Sequence, residues 1–349
     1  MSDHDATAAE PAAAPAPETT APLAAPSSTG AATRPSAPAV EQPRKPFRVL
    51  GWVLSVVAVI ALVAAGWYAW SSYDRVRSSE ADLAQAATIL EDAEEDLLLV
   101  DEAVQIEISA VIATPTIEAV DLADDVRSDV LEAAEIVERA LGNLPEERVA
   151  YADALRDSAD ARAEMMELAP VILEADIRAA TAIQYADQAV VEIKAAEDLS
   201  AQAVAEFNKH TADGVRASDD YSVQAEARLQ VAHSLIASAT ASFPGADFTA
   251  FSSYVDAKVS LIALAKEIDA VWLAGDIAGS NTKLDTYNQR DAEIVAMAQA
   301  LPASVRDPIA NAYNAETADV SKRYFDARER ARKAGERVSE LGEPAITDD

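Results

Sequence analysis

VRSSEADLAQAATILEDAEEDLLLVDEAVQIEISAV, residues 76–111, is the stretch of the chain that decides the fold. Aliphatic residues recur in it at every seventh position: Val76, Leu83, Leu90, Leu97, Val104 and Val111. Three residues after each of the first five stand Ser79, Ala86, Ala93, Val100 and Glu107, of which the first three are small. A repeat of seven residues is the core seam of a coiled coil or helical bundle, and small residues in it permit close helix contact. We therefore expect the seam to pair with an antiparallel helix of the same chain or with a second copy.

Helical spacing continues downstream of the seam to about residue 342. This part is rich in Ala, Glu, Asp and Leu, and it shows no sustained alternation of polar and apolar residues that would indicate strands. Turn signals divide it into about seven or eight amphipathic stretches. The main breaks are Thr114-Pro115, Gly142 to Pro145, Asp213-Gly214 with Ser218, Ser242 to Gly245, Gly275 to Ser280, Leu301-Pro302 and Gly342 with Pro344, and Pro170 kinks or divides one stretch. The sequence predicts an all-α protein built from antiparallel helical hairpins.

Upstream of the seam, residues 49–73 read VLGWVLSVVAVIALVAAGWYAWSSY and contain no charged side chain. A helix of this length crosses a hydrocarbon core of about 30 Å. The aromatic residues at its two ends are typical of the belts at membrane interfaces. They are Trp52 at one end and Trp67, Tyr68, Trp70 and Tyr73 at the other. We predict one transmembrane helix that continues without a break into a helical stalk ending near Thr114.

Two alternatives explain the apolar segment less well. A buried core helix seldom runs beyond about 20 residues without a charge. A cleaved signal peptide has a shorter apolar region behind a short charged start, whereas 48 residues precede this one. The bases Arg44, Lys45 and Arg48 before the segment outnumber Arg75 and Arg77 after it. Because basic residues favour the cytoplasmic side, the tail is predicted to be cytoplasmic and the domain after residue 73 extracytoplasmic.

Composition distinguishes the segment before the apolar span from the domain after it. Residues 1–48 hold nine of the 16 prolines and few large apolar residues, so we expect a disordered tail. Residues 74–349 carry 24 basic and 55 acidic residues, a formal charge of −31. Such a domain repels nucleic acid and anionic lipid headgroups, and we expect it to attract basic proteins, cationic polymers or loosely bound divalent cations. The predicted segments are a tail (1–48), a transmembrane helix (49–73), a coiled-coil stalk (74–114), an acidic helical bundle (115–342) and a disordered C-terminus (343–349).

The residue types that carry chemistry are sparse. The chain has no cysteine, which rules out disulfides and zinc held by thiolates. Glu206 and His210 stand four residues apart, a possible half-site for a metal, but no Glu-x-x-His pair of a di-iron bundle exists. No nucleophile–histidine–acid set and no phosphate-binding loop can be assembled. We expect no catalytic residue, no cofactor and no metal site, and therefore no enzyme.

Two functions remain open. The first is a structural or interaction module of the cell envelope, with protein partners or self-association through helices. The lack of cysteine and of glycosylation signals, with the heavy use of alanine, favours a bacterial envelope. The second is an extracytoplasmic sensor that binds a ligand in its bundle and signals through the transmembrane helix to a separate cytoplasmic effector. A compact internal pocket would favour the sensor, and a dry alanine-packed bundle would count against it.

Overall fold

The computed structural model describes the backbone of residues 47–342 and the side chains of residues 62, 63, 67, 68 and 70–342. The chain divides into two units, Met1–Val63 and Ala64–Asp349. The predictions for residues 1–46 and 343–349, including the flanking bases Arg44 and Lys45, lie outside the described residues.

Within residues 47–342 the chain forms eight helices and no strand, which confirms the all-α prediction. The helices are α1 (Phe47–Asp92), α2 (Glu94–Val104), α3 (Thr114–Leu141), α4 (Glu146–Phe207), α5 (Ala212–Ser242), α6 (Thr249–Leu273), α7 (Ile277–Ala300) and α8 (Asp307–Gly342).

None of these helices, over the residues that the structure describes, is both long enough and apolar enough to cross a membrane. Most side chains of the predicted span, including Trp52, and that of the flanking Arg48, lie outside this description. The remaining residues of the predicted aromatic belt are all exposed: Trp67, Tyr68, Trp70 and Tyr73.

The predicted stalk ends earlier than expected. The hydrogen-bond ladder continues across Ala93, which joins α1 and α2, but α2 ends at Val104 and residues 105–113 are not helical. This connector is rich in β-branched residues, and the Ser109 hydroxyl bonds the backbone of Val111 and so competes with helix formation. Val111 is 78% exposed and does not belong to the seam. The prediction of one helix to Thr114 is wrong for these residues.

The first bundle consists of the end of α1, α2, α3, residues 146–173 of α4 and the second half of α8. The predicted seam supplies its centre, because Leu83, Leu90 and Leu97 are at most 6% exposed and pack against these helices of the same chain. Val76 and Val104 are half-buried. Ion pairs show the directions of the helices: α4 is parallel to α1 and α2 and antiparallel to α3. They are Arg148–Glu80, Arg162–Glu94, Arg127–Glu167 and Arg156–Glu138.

The second bundle consists of α4 from residue 179 onward, α5, α6 and α7, with the start of α8 packed against it. Its successive helices form antiparallel hairpins. The turn between α4 and α5 lies at residues 208–211 and not at Gly214 and Ser218, which are inside α5. Thr211 caps α5 by accepting a hydrogen bond from the Gly214 amide, and a Cβ at Gly214 would meet the Glu206 carbonyl oxygen at 2.6 Å. The glycine therefore serves a close backbone approach rather than a helix end.

Two helices take part in both bundles. Helix α4 has 62 residues, about 93 Å at 1.5 Å per residue, and it continues through Pro170. Helix α8 runs antiparallel along it, as a series of ion pairs shows. They are Arg306–Asp187, Arg178–Glu316, Arg323–Glu164, Arg330–Glu164 and Arg337–Asp157.

Candidate functional site

A cavity of about 570 Å³ lies in the second bundle, between α4, α5, α6 and α7. It is near the end of the bundle that carries the α4–α5 and α6–α7 turns. Its deeper wall is formed by the buried side chains of Leu261, Ile262 and Ile268 from α6. Exposed lining residues, Asn208 and Asn288, mark where it opens to solvent.

The cavity exists because the core seam of α5 becomes small and polar at this level. Buried residues alternate at spacings of three and four along α5, as in a coiled coil. The full series is Val215, Ser218, Ser222, Ala225, Leu229, Ala232, Ile236, Ala239 and Phe243. Large residues fill the bundle in the second half of the series, whereas the serines at 218 and 222 leave space beside the cavity.

The facing helices show the same change. The seam of α6 begins with Phe251 and Val255 and then includes Lys258, Ile262, Ala265 and Asp269, of which only Ile262 is aliphatic and large. Helix α7 adds Asp291 between Tyr287 and Ile294, and α4 contributes Ser200 and Ala203. Polar and small residues thus occupy several seam positions on all four helices at one level of the bundle.

Asp269 is the chemically distinctive residue of the cavity. It is 2% exposed and lies on the cavity wall. The Ser218 hydroxyl donates a hydrogen bond to its carboxylate, but Oδ2 has no hydrogen-bond partner. Burial raises the pKa of Asp269 to about 6, with the Ser218 hydrogen bond opposing the rise and the charge of Asp219 adding to it. An unpaired carboxylate oxygen in a buried place costs free energy that a ligand donor can recover.

The other charged residues of the lining are Lys258 and Asp291. The Lys258 ammonium lies 3.7 Å from the Glu197 carboxylate and 5.5 Å from the centre of the Tyr254 ring. The Tyr254 hydroxyl also donates to Glu197, at 2.5 Å. Burial, with a smaller contribution from the negative charge of Asp291, raises the pKa of Tyr287 above its usual range. Lys258 is therefore paired loosely with Glu197, and the charged residues of the lining, one lysine and two aspartates, leave an excess of negative charge.

Ion pairs join three pairs of neighbouring helices around the cavity. They connect α4 with α5, α5 with α6, and α6 with α7. The pairs are Glu192–Arg228 at 3.0 Å, Glu226–Lys266 at 2.9 Å and Glu267–Lys283 at 2.7 Å. Each contributes little to stability at a partly exposed position, but together with the buried seams they define the spacing of the walls.

Neither His210 nor His233 belongs to a cluster of metal ligands within the part of the chain that the structure describes. His210 lies in the turn after α4, with a φ of 52°, so it does not share a helical face with Glu206. Glu206 instead pairs with Lys209, and His233 lies 3.6 Å from Asp256. Among the described residues, no group of three or more potential ligands is placed to hold a metal ion.

Of the residues singled out from the sequence, Ser218 lines the cavity, but the sequence pattern predicts it as a helix break and not as a site residue. The sequence feature that indicates the cavity is the presence of Ser218, Ser222 and Asp269 at seam positions that are otherwise apolar. No known protein family, curated protein sequence or solved structure matches the chain.

Proposed function

We propose that the second bundle binds a small molecule in its cavity, and that the chain is a single-pass membrane protein that presents this bundle outside the cytoplasm. The observation that carries the proposal is the cavity itself, with the buried and unpaired carboxylate of Asp269 on its wall. In this role the protein senses a ligand and passes the signal to a separate cytoplasmic effector, without catalysis.

A ligand site explains the cavity better than loose packing does. Its volume of about 570 Å³ is within the range of small-molecule sites, about 300–1,000 Å³. Its lining combines aliphatic residues with a few polar groups, as such sites do. Along the second half of the α5 seam the core is filled by large side chains, with Leu229, Ile236 and Phe243 at most 1% exposed. A protein that gained nothing from the cavity would lose stability by keeping it.

Filling the cavity tests the proposal. A panel of small probes, including benzyl alcohol, indole, 2-phenylethylamine and phenylacetate, is screened by thermal shift against the full-length protein. We expect at least one probe to stabilise the wild type and to have no effect on Ser222→Leu, whose larger side chain occupies the space. Ser222→Ala, which leaves the space open, is the matched control and should respond. Equal responses of the wild type and Ser222→Leu would place the binding elsewhere and refute the proposal.

The acidic surface favours a second candidate function, binding of a basic protein or polymer in the cell envelope. Charge of this density steers cationic partners and repels anionic ones. In-cell crosslinking in the native host, followed by mass spectrometry, tests it. Reproducible crosslinks from residues 74–349 to wall, division or secretion proteins are expected, and crosslinks only between copies of the chain would count against a hetero-partner scaffold.

The proposed anchor has a separate test that uses the absence of cysteine. Single cysteines at Ser28→Cys and Ser78→Cys report the two sides of residues 49–73. A membrane-impermeant maleimide added to intact cells should label only Ser78→Cys, and both sites should react after lysis. Labelling of Ser28→Cys in intact cells would reverse the orientation, and release of the protein by alkaline carbonate would argue against a spanning helix.

A further inference from the structure

We infer that the cavity selects a protonated amine carried on a compact apolar body, with Asp269 as the counter-ion of the amine. This inference rests on the proposed function and specifies its ligand class. The chemistry follows from three properties of the cavity: an unpaired carboxylate oxygen, an excess of negative charge and an apolar wall.

The unpaired oxygen requires a donor. Ser218 occupies one side of the Asp269 carboxylate, and Oδ2 has no partner among the residues around it. A neutral hydroxyl can donate one hydrogen bond to this oxygen. An ammonium donates a charge-assisted one, which is roughly twice as strong, and also neutralises a charge that is costly to bury. The donor that gains most from this position is therefore cationic.

The remaining charges of the lining exclude anions. The charge of Asp219 on α5 acts on Asp269, and Tyr287 and Asp291 on α7 line the same cavity. Lys258 is the basic residue of the lining, and it is paired with Glu197 on α4. A carboxylate or phosphate ligand would meet two aspartates in the cavity, against one lysine that is already paired with Glu197.

The apolar wall determines the part of the ligand that is not the amine. Aliphatic and aromatic side chains from three helices line the cavity: Val204, Phe207, Leu261, Ile262, Ile268 and Leu284. They offer contact to a ring or a short branched chain, and the Tyr287 ring offers a further face to an ammonium. A strongly hydrated polyamine would leave these side chains without contact, whereas an arylalkylamine satisfies both halves.

The test compares two probes that differ in one group, 2-phenylethylamine and 2-phenylethanol, by isothermal titration calorimetry. The full-length protein is used in detergent solution, and each variant is titrated in the same detergent so that partition into micelles cancels. Asp269→Asn removes the counter-ion. Asp176→Asn is the matched control, because Asp176 is also a buried aspartate with an unpaired oxygen but does not line this cavity.

We expect the amine to bind the wild type and Asp176→Asn equally, and to bind Asp269→Asn about 10- to 100-fold more weakly. The alcohol should bind weakly and should not distinguish the variants. Wild-type affinity for the amine should also fall about tenfold or more from about pH 7.5 to about pH 5, as Asp269 takes up a proton. The pH dependence of binding is measured on the wild type, so it tests the role of Asp269 even if Asp269→Asn folds poorly.

Two other outcomes separate the inference from the proposed function. Equal binding of amine and alcohol, unchanged in Asp269→Asn and independent of pH, would overturn the amine selectivity and leave a cavity that binds neutral ligands. Failure of both probes, together with failure of the wider panel to distinguish Ser222→Leu from the wild type, would overturn the proposed function itself.

Discussion

Asp101 and Asp269 are both at most 5% exposed, yet their surroundings are opposite. Asp101 on α2 accepts hydrogen bonds from the Tyr324 hydroxyl at 2.9 Å and from Nε of Arg328 at 2.9 Å, so that α8 neutralises its charge. Asp269 has a serine hydroxyl and an unpaired oxygen. The first carboxylate is part of the packing between helices, whereas the second is kept at a cost in stability, and a ligand site gives a reason for that cost.

Replacing Asp101 by asparagine should destabilise the fold. The amide keeps the shape but leaves Arg328 without its counter-charge and weakens the bond from Tyr324, and we expect a loss of about 1–3 kcal/mol in the free energy of unfolding. Urea denaturation followed by circular dichroism measures it. Asp326→Asn is the control, because its pair with Lys322 is exposed at 3.5 Å and should matter by less than about 0.5 kcal/mol. Equal losses in the two variants would deny Asp101 a special role.

The pH dependence of stability should reveal the carboxyl of Asp269. Its pKa in the folded chain is raised to about 6 from 3.8, so the folded state holds the proton more tightly than the unfolded state does. This group therefore favours folding at low pH, and its contribution is lost as the pH rises to about 6 and above. The free energy of unfolding of Asp269→Asn minus that of the wild type should increase by about 1–3 kcal/mol between about pH 4 and about pH 7.

Taking the difference between variant and wild type removes the titration of the other carboxylates. Asp176→Asn provides an independent repeat, because burial raises the pKa of Asp176 to about 6 as well, opposed by a hydrogen bond from Tyr313. The same sign is expected there. A difference that stays constant with pH would show that Asp269 is not held in a desolvated place.

At the scale of helices, the sequence predicts most helix ends but not the contacts between helices or the cavity. Pro115, Pro145 and Gly342 stand at or next to helix ends as expected, because these residues act locally on the backbone. The prediction of a helix end at Gly214 is wrong. A glycine is needed there because the Glu206 carbonyl oxygen, across the α4–α5 turn, leaves no room for a side chain. The cavity was missed because Ser and Asp at seam positions look like ordinary surface residues until the partner helices are known.

Pro170 tests how far α4 tolerates a helix breaker. It lies inside a 62-residue helix, where it lacks the amide that would bond the carbonyl four residues earlier. Because the helix continues through it, Pro170→Ala should restore that bond and stabilise the protein by about 1–3 kcal/mol in urea denaturation. Pro145→Ala at the start of α4 is the control, since proline is well tolerated there. A loss of stability in Pro170→Ala would show that the bundles require the local geometry of proline.

For the molecule as a whole, the pairing of helices could not be read from the sequence. The seams of different helices are built mainly from Ala, Leu and Val, so the sequence of one helix does not indicate which helix it packs against. It therefore does not show that α4 and α8 each belong to two bundles. This sharing has a thermodynamic consequence, because neither bundle can lose its structure without disturbing α4. Leu155→Ala in the first bundle and Ile236→Ala in the second should each cost about 2–5 kcal/mol and shift one common unfolding transition. Two separate transitions would contradict the coupling.

The net charge of −32 leads to a last prediction. With 60 acidic and 28 basic residues, repulsion among unpaired carboxylates outweighs the attraction of the surface ion pairs, which are weak. Raising NaCl from about 20 mM to about 500 mM should therefore stabilise the fold by about 1–2 kcal/mol, or about 2–6 °C in Tm. At equal ionic strength MgCl2 and CaCl2 should act alike and without saturation, because loosely held divalent cations screen charge without a defined site. A fall in Tm with salt would show that the ion pairs between helices dominate, and saturation by Ca²⁺ alone would reveal a specific calcium site.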